Sequence, residues 1–316
     1  MPVSMSASER GAHACRGESE RKRTGTLYMV ATPIGHLGDI TLRAMEILRS
    51  VSIVAAEDTR RSRGLLAHLD AHPRELLALH DHNESSRSRA LLRRLERGED
   101  VAVVSDAGTP LISDPGYRLV RAAHEAGIRV SPVPGPCAAM AALSVAGLPS
   151  DRFWFEGFLP PRREARRHRL QALASIPVTL IFYVPARDLV SVLEDCAGAM
   201  GGERSAALGR ELTKLHETVR RATLDELTGF CRDDPDQARG EAVLLIGASE
   251  AEPLAPVDPL ALARELAAEL APSRAAGVLG RLTGLKRKQA WTLIEQSRNH
   301  PANDAVEDVG PLTGDE

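Results

Sequence analysis

The strongest constraint on this chain is an alternation in which short apolar runs end at glycine or proline and are followed by stretches with helical spacing. LYMVAT at 27–32 is bounded at once by Pro33 and Gly35, the pattern of a buried strand entering a tight loop. A helix follows, with Asp39 as its expected N-cap and Leu42, Met45 and Leu48 as its apolar stripe, before VSIVAA opens a second strand at 51–56. The cycle repeats with a helix near 85–97, the strand VAVVS at 101–105, a helix near 116–126 ended by Gly127, and the strand IRVSPVP. Such alternation predicts a mostly parallel sheet.

A small-residue helix, CAAMAALSVAG, stops at Gly147, and Leu148-Pro149-Ser150-Asp151 reads as a connection to a second alternating unit. That unit holds FWFEGF, an arginine-rich helix, VTLIFYV, a helix near 187–200, RSAALGR, a helix near 223–232 and EAVLLIG. The expected class is therefore α/β. Residues 26–136 form an N-terminal α/β domain, 137–250 a C-terminal α/β domain, and 251–300 a linker and helical appendix with breaks near Pro272 and Gly284. Residues 1–25 and 301–316 lack periodicity and read as disordered extensions.

Composition removes several classes of function. The net charge is −3 and aromatic residues make up 3% of the chain, so neither a histone-like binder nor a stacking platform for arbitrary single strands is expected. The four cysteines, Cys15, Cys137, Cys196 and Cys231, lie far apart. That spacing argues against a disulfide framework or structural zinc site and fits a reducing cytoplasm. No apolar run approaches the roughly 18 residues of a membrane span, and the first 25 residues have no apolar centre.

In open α/β sheets, ligands bind beyond the carboxyl ends of strands. Three loops there place glycine beside proline: Thr32-Pro33-Ile34-Gly35, Asp106-Ala107-Gly108-Thr109-Pro110 and Pro134-Gly135-Pro136. None carries the Gly-Lys-Ser/Thr of a P-loop or the Gly-x-Gly-x-x-Gly of a dinucleotide fold. An acidic, lysine-free set suits a ligand with an amino group, ribose hydroxyls or a positive centre, such as S-adenosylmethionine. The run His80-Asp81-His82-Asn83-Glu84 follows the apolar stretch LLAL. It offers His80 or His82 as a general base, or Asn83 or Glu84 as a helix cap, and its adjacent residues point apart, which disfavours a metal site. Glu57, in AEDTRR, has the same two readings. Arg162, Arg163, Arg166, Arg167 and Arg169 crowd one expected helix and point to nucleic-acid phosphates, against the plainer reading of a solvated face. In the appendix, SRAAGVLGRLTG and KRKQAWTLIEQ read as a helix-turn-helix or as a docking pair.

Together LYMVATPIGHLGDITLRAMEIL, AAEDTRRS, LHDHNE, VVSDAGTPLISDPG, PVPGPCAAMAALSVAGLPSDRFWFEGFLP and GRELTKLHET resemble, in that order, the small-subunit ribosomal RNA methyltransferase group of the tetrapyrrole methylase superfamily. The resemblance covers about residues 26–247. It implies two α/β domains with S-adenosylmethionine in the cleft between them, and methyl transfer to the 2′-oxygen of a cytidine ribose in 16S rRNA of the small ribosomal subunit. It also implies a homodimer, no metal, and cofactor contacts from Pro33, Gly35, Asp106 through Pro110 and Pro134 through Pro136. His36 stands where the group usually has asparagine, and Val184-Pro185-Ala186-Arg187 replaces its usual Glu-Ser and His-Arg. The competing expectations are a methylase of a tetrapyrrole intermediate, which leaves the arginine helix without a task, and a non-enzymatic RNA-binding module, which leaves the three loops without one.

Overall fold

The computed structural model describes residues 24–80, 83–249 and 258–299. The expected extensions, except for residues 24 and 25, and most of the expected linker lie outside these residues, as does His82. The described residues up to 249 and those from 258 on fall into two compact units.

The first sheet is built from β1 (Thr26–Val30), β2 (Ile53–Ala56), β3 (Glu75–Ala78), β4 (Val101–Val104) and β5 (Arg129–Val133) in the order β3-β2-β4-β1-β5. All of its pairings are parallel. Helices α1 (Leu42–Ser50) and α2 (Thr59–His68) cover one face, packing Leu48 and Leu66 against Val54, Ala56 and Val104. On the other face, α3 (Glu84–Glu96) and α4 (Tyr117–Glu125) bring Leu91, Leu95 and Leu119 onto Ile53, Ala55 and Val103. With both faces covered, β2 and β4 have no solvent side, and their sequences are unbroken apolar runs instead of alternating ones.

Helix α5 (Ala138–Val145) leads into the second sheet: β6 (Phe153–Phe158), β7 (Thr179–Pro185), β8 (Ser205–Arg210), β9 (Thr218–Thr223) and β10 (Glu241–Ile246), ordered β6-β7-β10-β8-β9. Only β6 and β7 run parallel, the other pairings being antiparallel. Helices α6 (Arg163–Leu173), α7 (Leu189–Met200) and α8 (Leu224–Asp233) cover one face. On the other, α5 sets Ala139, Ala142 and Leu143 against Ile181, Val243 and Leu245, in a cluster that also takes in Ile34 from the loop after β1. The second unit packs α9 (Pro259–Glu269), α10 (Pro272–Thr283) and α11 (Arg287–Asn299) around Ala263, Ala276, Leu279, Ala290 and Ile294.

Local capping departs from the sequence expectations. Asp39 lies in a 3-10 turn, and Thr41 caps α1 by accepting a hydrogen bond from the Ala44 amide. Asn83 stands at the N-cap position before α3 without a side-chain capping bond, because its side chain turns back to the His80 amide and the Ala78 carbonyl. Glu84 caps a different helix: its buried carboxylate accepts from the amides of Gly116 and Arg118 at the start of α4, complementing that helix's positive end. Two edge strands escaped the sequence pattern. In β9 the run TVRRAT is exposed along its centre, and in β3 only four residues are paired.

The arginine-rich helix is tied into its own domain. Arg166 is buried and reaches Asp195 of α7 at 2.7 Å, Arg163 joins the same carboxylate at 3.0 Å, and Arg169 grips Glu156 of β6 at 2.6 and 2.7 Å. Opposite charge is therefore present in space where it is sparse in the local sequence. Arg162 and Arg167 stay exposed. Breaking a buried pair from one side leaves an uncompensated charge. Asp195→Ala is thus expected to destabilise the fold by about 3–5 kcal/mol in chemical denaturation, with the Arg166→Met, Asp195→Leu double variant recovering most of the loss.

Candidate functional site

At the carboxyl end of the first sheet, the backbone of the loop after β1 is stitched to the loop after β4. Thr32 donates to the Gly108 carbonyl at 2.9 Å and accepts from the Gly108 amide at 3.0 Å. Gly108 makes this possible with φ of +87°, a conformation that costs glycine little and side-chain-bearing residues more. Ser105 Oγ also donates to the Gly108 carbonyl, and Thr109 Oγ1 donates to the Pro136 carbonyl, drawing in the loop after β5. The three loops singled out in the sequence therefore form one assembly.

This assembly borders a cavity of about 420 Å³ whose far wall comes from the second sheet. Of the expected cofactor residues, Asp106, Ala107, Gly108 and Thr109 line it, whereas Pro33, Gly35, Pro110, Pro134, Gly135 and Pro136 do not. Two of these glycines instead allow protein to approach protein. A Cβ on Gly35 would lie 2.9 Å from the Leu212 carbonyl, and one on Gly135 would lie 2.9 Å from Ala31 Cβ. The space read in the sequence as room for a ligand is, at these two positions, filled by the fold.

The second sheet's contribution was not assigned in the sequence. Val184, Pro185, Leu212, Ala242 and Val243 supply an apolar wall, edged by Glu211, Lys214 and Glu241. Lys214 Nζ lies 2.9 Å from both Glu211 Oε1 and Glu241 Oε2. Burial works against ionisation of Glu211, but hydrogen bonds from Lys214 and the Glu241 amide outweigh it and hold this carboxyl below its ordinary value. Val184 and Pro185, where the chain departs from the group it resembles, are thus part of the cavity wall.

Backbone strain concentrates here. Among the described residues, five non-glycine positions have φ in the left-handed region, and four of them, Leu111, Ser113, Glu211 and Thr213, stand on the two loops flanking the cavity. Such conformations cost of order 1–3 kcal/mol each and persist where surrounding structure enforces them, as at ligand clamps.

The acidic floor consists of Glu57, Asp106 and Asp114. Asp106 Oδ1 accepts from the Asp58 amide at 2.9 Å, and Asp106 Oδ2 lies 3.4 Å from Arg61. Burial and then the neighbouring Glu57 charge push Asp114 up to about 7, against a hydrogen bond from Ser105. Asp114 belongs to the run SDPG, where nothing local distinguishes it from an ordinary turn residue. Of the expected bases, Glu57 lines the cavity, His80 does not, and His82 lies outside the described residues. His80 Nε2 instead lies 3.0 Å from the side-chain nitrogen of Asn83. Among the described residues no cluster of His, Cys, Asp or Glu is arranged to hold a metal ion.

The Asp114 shift makes stability depend on pH. Between about pH 4 and pH 7 an unfolded chain releases this proton while the folded chain retains it, so the contribution is present at low pH and lost as pH rises through 7. The stability of Asp114→Asn relative to the unsubstituted protein is therefore expected to rise over this window and level off above it, as read by denaturation at a series of pH values.

The family profile described as Tetrapyrrole (Corrin/Porphyrin) Methylases matches residues 26–228. The chain is 48% identical over 275 residues to the Ribosomal RNA small subunit methyltransferase I of Escherichia coli O157:H7, covering 87% of this chain and 96% of that relative. Its identity to the protein of the same name from Pseudomonas aeruginosa is 50% over 266 residues, covering 83% and 94%. In fold it is similar to the Uroporphyrin-III C-methyl transferase of Thermus thermophilus, solved in complex with S-adenyl homocysteine. That likeness has a TM-score of 0.50 at 21% identity and covers 71% of this chain and 97% of that one. A paired-sheet architecture, a cleft built from the loops at its strand ends and a profile match over most of the chain converge, and the chain belongs to the tetrapyrrole methylase family.

Proposed function

We propose that this protein methylates the 2′-oxygen of a cytidine ribose in 16S rRNA, with S-adenosylmethionine as methyl donor. The observation that carries the reading is identity near one half, over nearly the whole length, to relatives named for small-subunit rRNA methylation. The cleft fits the donor. Its volume is in the range of small-molecule pockets, and its carboxylates suit hydroxyls and a positive centre. When bound, the donor supplies a methyl group on a positively charged sulfur.

What the protein contributes is placement and proton handling. The reaction is an in-line displacement, for which alignment of the attacking oxygen supplies much of the rate. Asp106 holds the Glu57–Arg61 segment against the cavity through the Asp58 amide and the Arg61 guanidinium. Glu57 and Asp114 are the carboxyl groups placed to take the hydroxyl proton, Asp114 with an affinity suited to neutral pH. Arg162 and Arg167, exposed and outside the Asp195 and Glu156 ion pairs, are available for phosphate contact. The reading includes a homodimer, as the resemblance implies, in the reducing cytoplasm that the cysteine spacing fits. A tetrapyrrole substrate would leave the relatives' shared name without an explanation.

Mass mapping of 16S rRNA from cells lacking the gene is expected to show one cytidine without its methyl group. The unsubstituted gene restores it, and Glu57→Gln lowers single-turnover methylation by about 10²-fold or more if Glu57 is the acceptor. An unchanged rRNA map overturns the reading. Arg162→Glu with Arg167→Glu is expected to weaken small-subunit binding by roughly tenfold with a reduced salt slope, at an unchanged melting temperature.

A further inference from the structure

The sequence FWFEGF forms an edge strand that does not run straight. Between Phe155 and Gly157 its register on β7 shifts, and Gly157 has φ of +74°. In a regular strand, residues two apart share a face, so Phe155 would be matched by position 157. The inserted residue hands that place to Phe158. Both rings consequently meet Tyr183 edge-on, Phe155 with centroids 5.1 Å apart and Phe158 with centroids 5.5 Å apart. The glycine also lies close to the strained loop, where a Cβ on Gly157 would stand 2.9 Å from Ser113 Oγ.

The two rings end in different settings. Phe155 is half-buried in the apolar cluster beneath the cavity. Phe158 lines the cavity and remains 57% exposed, and Ile112, also in its lining, is 38% exposed. A bulge that delivers a large apolar ring to the mouth of a cleft, steadies one edge of it on Tyr183 and leaves the rest to solvent gives the ring little burial in return. It does present a held aromatic surface. Arg61, with its side chain 68% exposed, lines the same cleft and supplies positive charge for a phosphate.

We propose that Phe158 is the stacking platform for the base of the nucleotide being methylated, gripping it outside its helical stack while the ribose enters the cleft. The proposal rests on the rRNA methylation reading and adds a substrate-gripping residue to it. RNA-binding proteins hold splayed bases on aromatic rings, and every base has a π-face. Phe158 would therefore select an unstacked nucleotide, leaving the choice of base to other contacts. The cofactor's adenine is the other planar group near the cleft. Its claim on the ring is separated from that of a base by the measurement of cofactor affinity.

The test uses full-length protein and small ribosomal subunits from cells lacking the gene. Phe158→Leu keeps apolar bulk and removes the π-face, whereas Phe158→Trp keeps the π-face. The expected result is a fall in kcat/KM for subunits of about 5- to 100-fold in Phe158→Leu, near-normal rates in Phe158→Trp, and unchanged S-adenosylmethionine affinity by calorimetry in both. Full activity in Phe158→Leu overturns the proposal. So does a loss of S-adenosylmethionine affinity matching the loss of rate, which would assign the ring to adenine. Unsubstituted protein that fails to methylate the subunits overturns the underlying reading instead, and this proposal with it. Melting temperatures of the variants separate either result from misfolding.

Discussion

The reciprocal backbone hydrogen bonds between Thr32 and Gly108 fix the loop after β1 to the loop after β4, and the shape of the cleft depends on them. A parallel sheet ends in free strand termini, each leaving in its own direction. Tying two neighbouring exits together turns them into a rigid shelf. Ile34, held on that shelf, enters the apolar cluster beneath the second sheet, and Gly35 lets the Leu212–Lys214 segment close against it. The two sheets thus meet through backbone approach and small apolar side chains. The polar groups of the cleft are left facing the space between them.

Strain and charge are distributed around this shelf in a way that suits a site assembled from both sheets. Leu111 and Ser113 on one side, and Glu211 and Thr213 on the other, adopt conformations that a chain free to relax would leave. Carboxyl groups with opposite tendencies stand within the same cavity. Asp114 is raised by burial and by Glu57, whereas Glu211 is lowered by Lys214 and the Glu241 amide in spite of burial. One acid is prepared to exchange a proton near neutrality and the other to remain charged.

How much of this was legible in the sequence depended on whether the signal was local. The centre of the first sheet was readable because β2 and β4 are buried on both faces and write themselves as apolar runs. The three glycine–proline loops were readable because their position after those strands is set by topology. β9 was not, since its exposed arginines mask the strand pattern, and Asp114 was not, since its environment comes from residues distant in the chain. The arginine helix shows the converse error. Its charge run looked unpaired because Asp195 lies 29 residues beyond Arg166. The Glu84 cap failed for a similar reason: its carboxylate serves the start of α4, 32 residues away, instead of its own helix.

The Asp195 clamp on Arg163 and Arg166 bears on heat tolerance. The cost of stripping water from charged groups falls as temperature rises, because their hydration carries unfavourable entropy, while apolar stabilisation per unit area levels off. A carboxylate shared by two guanidiniums between α6 and α7 therefore gains weight relative to the leucine core around it as the protein warms. The second sheet's helical cover is fastened by a contact whose relative contribution grows under the conditions that loosen the rest.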